Sequence, residues 1–270
     1  MTDLAGLLII AIDAVDRARE IVLNPPDKTS LEKGDRDMVT ATDIAIEKSV
    51  FEYLSVRTPN INFLGEENGQ VELSDGLDWW ALDPVDGTAN FVRNLPLCAV
   101  SLGLIRAGKQ QLGVIDLPFL AARYTAAEGF GAFGNDQPIE PSDTKYLAKS
   151  IVSLGDYAVG ANATAKNRIR ISLTEALAAR VQRVRMFGSA AIDLVWVAEG
   201  KLDACLMLSN NPWDTAAGVA IARQAGAKVM DIDGSEHTFG STATIAAAPG
   251  IADEFIDLVR SVMDRQRAET

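Results

Sequence analysis

The chain has 270 residues, 48% of them hydrophobic, and carries a formal net charge of −12 from 37 acidic and 25 basic side chains. That length holds one large domain or two closely packed halves, with apolar material enough for a substantial core. The acidic balance repels nucleic acid and anionic membrane, which excludes both as expected partners, and an anionic substrate would need bound cations to receive it.

In chain order, Leu4, Leu7, Leu8, Ala11, Ile12, Val15 and Val22 recur at a helical period and predict an amphipathic first helix capped near Thr2. Its apolar run is short, has no basic flank and runs into Asp13, unlike a signal peptide. No apolar run is long enough to cross a membrane, so a soluble, cytoplasmic protein is expected. A second helix is predicted from near Asp43 through Ile46, Val50, Phe51 and Leu54. A strand over 79–82 is expected to stop at the turn Asp83-Pro84-Val85-Asp86-Gly87, with Thr88 opening a short helix. Strands over 99–105, 111–115 and 123–127, joined by short polar or glycine turns, predict antiparallel pairing. Beyond about residue 145 strands alternate with helices: strands over 150–154, 184–187, 202–208, 228–232 and 242–247, helices over 165–181, 189–199 and 215–225, and a closing helix. The expected division is therefore an N-terminal half, 1–145, of helices beside an antiparallel sheet, and a C-terminal α/β half, 146–270, with helices on both faces of a sheet.

Cys98 and Cys205 lie in apolar stretches and read as buried free thiols of a reducing cytosol, with a disulfide between them as the alternative. The single histidine, His237, falls in the polar run Asp233-Gly234-Ser235-Glu236-His237-Thr238 and reads as a solvated turn, which leaves no base for a serine or cysteine triad. There is no Cys/His cluster for zinc and no glycine loop followed by Lys-Ser or Lys-Thr for a nucleotide. Lys166-Asn167-Arg168-Ile169-Arg170 reads as a basic, solvated helix face, with a phosphate- or partner-binding role as the alternative. Asn210 and Asn211 read as turn formers, with polar contacts to substrate as the alternative.

Four acidic segments carry the chemistry: 33–43 with Lys33, Asp35, Asp37 and Asp43; Gly65-Glu66-Glu67; Trp80-Ala81-Leu82-Asp83-Pro84-Val85-Asp86-Gly87-Thr88-Ala89-Asn90-Phe91; and Pro212-Trp213-Asp214-Thr215-Ala216-Ala217-Gly218. Singly, each is an ordinary turn, loop or helix cap. Together they set carboxylates beside apolar segments, where ionised groups lose hydration and repel one another unless cations join them. Oxygen-only donors point to hard divalent ions. Asp83 and Asp86 flank Pro84-Val85, so one turn can present both carboxylates and a carbonyl, while Gly87 admits a ligand close to the backbone.

The third segment resembles the first signature of the inositol monophosphatase family, and Trp213-Asp214-Thr215-Ala216-Ala217-Gly218 resembles its second. Gly65-Glu66-Glu67, the Asp37-to-Asp43 run and Gly188-Ser189-Ala190-Ala191-Ile192-Asp193-Leu194 match further family segments in order, so the resemblance spans nearly the whole chain. It implies a layered α-β-α-β-α sandwich of the inositol monophosphatase and fructose-1,6-bisphosphatase type, an α+β or α/β fold. It also implies roughly two to three magnesium ions, lithium sensitivity and a homodimer. By motif, Glu66, Asp83 and the Val85 carbonyl would hold one ion, and Asp83, Asp86 and Asp214 a second, with Glu66 facing a third through water. Glu66, Thr88 and Asp43 would be catalytic, Thr88 and Asp43 together orienting the attacking water. Asp86, Gly87, Thr88, Ser189, Ala190 and Met207 would meet substrate, with Glu67 beside the ligands and Lys33 on a covering loop. The implied reaction is hydrolysis of a small phosphate monoester, inositol monophosphate in the first instance. One departure stands out: seven residues before Asp214, inositol-specific members carry a glutamate that accepts from sugar hydroxyls, and here the residue is Met207. Histidinol phosphate, fructose 1,6-bisphosphate and phosphoadenosine phosphate are the alternative substrates, and a non-catalytic metal- or ligand-binding regulator is the alternative function.

Overall fold

A computed structural model describes residues 3–26, 30–34, 37–67 and 76–268, with side chains outside 30–34 and 37–39. The first half runs α1 (Leu4–Leu23), β1 (Ser30–Gly34), β2 (Asp37–Thr40), α2 (Ala41–Arg57), β3 (Asn62–Gly65), β4 (Trp79–Asp86), α3 (Thr88–Val92), β5 (Ala99–Arg106), β6 (Lys109–Leu117), β7 (Ala122–Ala127), β8 (Gly131–Gly134) and β9 (Gln137–Pro138). The second half runs β10 (Ile151–Leu154), α4 (Ala163–Ala178), β11 (Arg183–Arg185), α5 (Ala190–Ala198), β12 (Ala204–Met207), α6 (Pro212–Ala225), β13 (Lys228–Met230), β14 (Thr244–Ala247) and α7 (Ala252–Ala268).

β3 to β9 form a seven-stranded sheet in chain order, antiparallel except for the parallel β3–β4 pair. The second sheet has the order β11-β10-β12-β14-β13, parallel at its first pairs and antiparallel through β14. One core joins α1 and α2 to the first sheet through Leu7, Ala14, Ile46, Trp80 and Leu102. A second fills the space between the sheets with α5 and α6, and a third packs α4 and α7 on the far face of the second sheet. The result is the expected α-β-α-β-α sandwich.

Local chemistry sets the ends of the elements. Asp3 caps α1, its Oδ1 accepting from Gly6 N at 2.7 Å, so the cap is one residue beyond the expected Thr2, which lies outside the described residues. α2 opens with a capping box in which Thr40 is the N-cap and Asp43 the third helical residue, rather than starting at Asp43 itself. β4 does not stop at Leu82. It continues through Asp86, buried along its length, because the ladder with β5 shifts register between Asp83 and Asp86, where Pro84 lacks an N–H to donate. α6 begins at Pro212, with Asn211 as N-cap, and ends on Gly226 in the left-handed region at φ +100°. It lies tight on the first sheet: a Cβ at Gly103 would stand 2.6 Å from Ala217 N, and one at Gly113 would collide with the Ala217 carbonyl. No helix among the described residues is long and apolar enough to cross a membrane.

Candidate active site and metal centre

The C-terminal end of β4, the turn after β3, and the starts of α3, α5 and α6 converge on one cavity of about 230 Å³. Its lining includes Glu66, Asp83, Val85, Asp86, Gly87, Thr88, Ser189, Ala190, Met207 and Asp214. Ten of the thirteen expected site residues therefore meet there, from segments up to 148 positions apart (66 to 214). Asp43 is buried behind this lining, its Oδ2 accepting from Thr40 N at 2.9 Å and from Thr40 Oγ1 at 2.5 Å. Thr88 Oγ1 donates to Val85 O at 3.1 Å. Glu67 is half-buried in the turn beside Glu66, its N–H donating to Glu47 Oε2 at 2.8 Å. Lys33 lies in β1, with its side chain outside the described atoms.

Asp86 is held most tightly. Ser189 Oγ donates to its Oδ2 at 2.5 Å, Ala191 N to the same oxygen at 2.6 Å, and Ala190 N to Oδ1 at 3.2 Å. The carboxylate thus sits on the free N–H groups of α5 and pins the first sheet to the second half. Asn90 reinforces the joint, its Nδ2 donating to Leu97 O at 2.8 Å and Phe187 O at 2.7 Å. Gly87 between them adopts φ +89°, and a Cβ there would stand 2.8 Å from Leu97 O. Ser189 and Ala190, expected at the substrate, are engaged by Asp86 in this structure; their remaining surface still lines the cavity.

The carboxylates perturb one another. Burial raises Asp83 well above the carboxylate range, and the charges of Glu66, Asp86, Asp214 and Asp43 raise it further. Lost hydration lifts Asp214 to about 8, with Asp86 and Glu66 adding to the shift and the Asn211 amide opposing it. Asp86 rises to about 6, burial outweighing its bonds from Ser189, Ala191 and Ala190. Among the described residues no three His, Cys, Asp or Glu side chains are close enough together to enclose an ion as they stand. They nonetheless face one cavity, offer only oxygen, and oppose one another's ionisation, which is the electrostatic condition a hard divalent cation relieves. Glu66, Asp83, Asp86, Asp214 and the Val85 carbonyl fit such ions.

The sequence reading missed part of the lining. Gly155 and Asp156 at the end of β10, Arg170 on α4, Asp193 on α5, and Leu208 and Ser209 after β12 also reach the cavity. Arg170 departs from the solvated face expected of 166–170, reaching the cavity while Lys166 and Arg168 stay exposed, and nothing in a run whose charges are all positive marks which member turns. Asp193 is buried, its carboxyl pushed well above its usual range by burial, and its Oδ1 has no hydrogen-bond partner among the described residues. His237 is also corrected: it is 1% exposed, not solvated. Its Nε2 lies 3.2 Å from Asn210 Oδ1 and 3.1 Å from Thr244 Oγ1, and burial with the Arg223 charge lowers it to about 4. Asn210 is more than a turn former. It ties three loop carbonyls at Thr238, Phe239 and Ser241 to the start of α6. Cys98 and Cys205 are buried thiols that are not joined in a disulfide, as expected.

A family model described as "Inositol monophosphatase family" matches residues 3–264. An inositol-1-monophosphatase of Mycolicibacterium smegmatis is 33% identical over 259 residues, covering 96% of this chain and 93% of that protein. A Thermotoga maritima protein named fructose-1,6-bisphosphatase/inositol-1-monophosphatase is 34% identical, covering 88% of each. The solved inositol monophosphatase of Anabaena superposes with a TM-score of 0.83 at 32% identity, over 96% of this chain and 97% of that one.

Proposed function

This chain belongs to the inositol monophosphatase family and is a phosphatase of that type; from that premise we propose that it hydrolyses a small phosphate monoester with magnesium, inositol monophosphate being the reference substrate. The observation that carries the proposal is the convergence of Glu66, Asp83, Asp86 and Asp214 on one cavity beside Gly87 and Thr88. In this reading Glu66, Asp83 and the Val85 carbonyl hold one ion, and Asp83, Asp86 and Asp214 a second. Bound ions supply positive charge to the phosphoryl oxygens and make a coordinated water more acidic.

The chain's own residues do the positioning. In this reading Gly87, at a φ of +89° that favours glycine, and Thr88 offer backbone N–H groups to phosphate. In the same reading Thr88, whose Oγ1 donates to Val85 O, would orient the attacking water together with the buried Asp43. Asp86, clamped by α5, cannot swing away from the cavity without breaking three hydrogen bonds. In-line displacement needs such positioning and charge more than covalent chemistry.

Met207 favours a second reading in which the preferred monoester is a different phosphorylated small molecule, such as histidinol phosphate, fructose 1,6-bisphosphate or phosphoadenosine phosphate. A thioether cannot accept strongly from inositol hydroxyls. A cytoplasmic homodimer inhibited by lithium completes the proposal, on the family resemblance. The non-catalytic alternative is disfavoured because none of the proposed ligands is missing. Phosphate release from a panel of these four substrates, with magnesium and with chelator, tests the reading. Magnesium-dependent release supports it, and absence of release from a folded, magnesium-loaded protein overturns it for this panel.

A further inference from the structure

Arg170 lines the cavity together with Met207 and Leu208. Its Nε donates to Asp156 O at 3.1 Å, its Nη1 to Lys166 O at 3.3 Å and its Nη2 to Leu208 O at 3.5 Å. All three acceptors are neutral carbonyls, and among the described residues no carboxylate forms an ion pair with this guanidinium. Asp156 offers it only main chain: Asp156 Oδ2 lies toward Gly188, 3.3 Å from where a Cβ there would stand. Burial lowers the Arg170 pKa with no neighbouring charge recorded in opposition. A half-buried cation whose hydrogen bonds are only to carbonyls still lacks a counter-charge, and that is costly unless an anion completes it. Met207, where the family resemblance leads one to expect a glutamate, puts a neutral thioether one residue before the carbonyl that accepts from Arg170.

We propose that Arg170 receives a second anionic group of the substrate, so that the monoesters turned over best carry a carboxylate or a further phosphate besides the phosphate removed. The inference rests on the phosphatase reading above and narrows its substrate class. The reaction is unchanged: a water oxygen bonds to phosphorus, the ester bond breaks, the alcohol oxygen takes a proton, and the second anion leaves with the alcohol. The planar guanidinium fork suits either oxyanion.

Two matched pairs distinguish the sources: glycerol 1-phosphate against 3-phosphoglycerate for a carboxylate, and fructose 1-phosphate against fructose 1,6-bisphosphate for a phosphate. In the magnesium-loaded protein, kcat/KM is expected to favour at least one doubly anionic member by about tenfold, chiefly through KM. R170Q is expected to collapse that preference, and R170K to retain part of it. Calorimetric binding of phosphonate analogues of the two fructose phosphates and of the two three-carbon phosphates, to wild type and R170Q, gives a readout independent of turnover. Equal kcat/KM within both pairs, or a preference and an analogue affinity that R170Q leaves intact, overturns the inference. No release from any compound, with analogue binding that still depends on Arg170, overturns the phosphatase reading and keeps the anion site. No release with binding indifferent to R170Q overturns both.

Discussion

The two walls of the cavity are built differently. The wall from the first sheet, Asp83 to Thr88, is fixed by a buried strand, a bulge at Pro84 and a carboxylate clamped on α5. The wall from the second half sets Met207, Leu208 and the Arg170 guanidinium, from the end of a short strand and one face of a helix, near the carboxylates of Asp156 and Asp193. Charges of one sign confined on the first wall raise one another's pKa values and call for cations. The cation on the second wall calls for an anion. Reaction chemistry and substrate choice are thereby separated in space, and each can change without dismantling the other. The division by charge is not complete, since the second half also brings the carboxylates of Asp156, Asp193 and Asp214 to the cavity.

The largest effect that would break this comparison is at Asp86. D86N is expected to lower phosphate release by at least about a thousandfold, the scale of losing one strong electrostatic group at a reacting centre, while circular dichroism and thermal unfolding report an intact fold. Near-normal turnover would remove Asp86 from the ligand set. Next, G113A probes the seat of α6. Its new methyl meets the Ala217 carbonyl, and overpacking there is expected to cost about 1–3 kcal/mol in denaturant unfolding. An unchanged midpoint would mean the helix can lift without penalty.

Third, M207E should sharpen the division. It is expected to raise kcat/KM for inositol 1-phosphate relative to fructose 1,6-bisphosphate by about tenfold, the value of one charge-assisted hydrogen bond. An unchanged ratio would place specificity elsewhere. Fourth, pH sets the two kinds of charge apart. Asp83, Asp86 at about 6 and Asp214 at about 8 lie above their ordinary value of 3.8, so the folded chain binds more protons than the unfolded one across that window. Stability of the cation-free protein therefore falls as pH rises through it. Magnesium offsets this repulsion, and its increment in Tm should be larger at pH 8 than at pH 5, roughly the upper and lower parts of that window. An increment independent of pH would detach these carboxylates from the metal.

The smallest effect is expected at His237, away from both walls. H237N should cost about 1 kcal/mol at neutral pH, the value of a buried hydrogen bond, and leave turnover within about a factor of two. The sign with pH is opposite to that of the carboxylates. The folded pKa of about 4 lies below 6.5, so wild type loses this contribution as pH falls from 6.5 toward 4, and the penalty of the substitution should shrink over the same window.

Much of the fold was legible because it follows local patterns. Helical period gave α1 and α2, alternation and short turns gave β5 to β7, and Ser189 marked the start of α5, where its hydroxyl indeed accepts from Ile192 N. The short β1, β2, β3, β8 and β9 were not read, since two to five residues carry too little period to stand out. The end of β4 was misplaced because Asp83-Pro84 is a turn signal in isolation, and only pairing with Ser101 and Ala99 keeps it extended. His237 was misread because a polar run looks solvated until another segment covers it.

By itself the sequence determined which carboxylates stand beside glycine and proline, and their order. Those properties depend on neighbours within a few residues. The tertiary structure alone decided that α5 holds Asp86, that Gly103 and Gly113 make room for α6, and that Arg170 turns into the cavity without a counter-charge. Each of these joins segments many tens of residues apart. Such contacts are set by close packing of whole layers, where the position of one backbone fixes what another can approach.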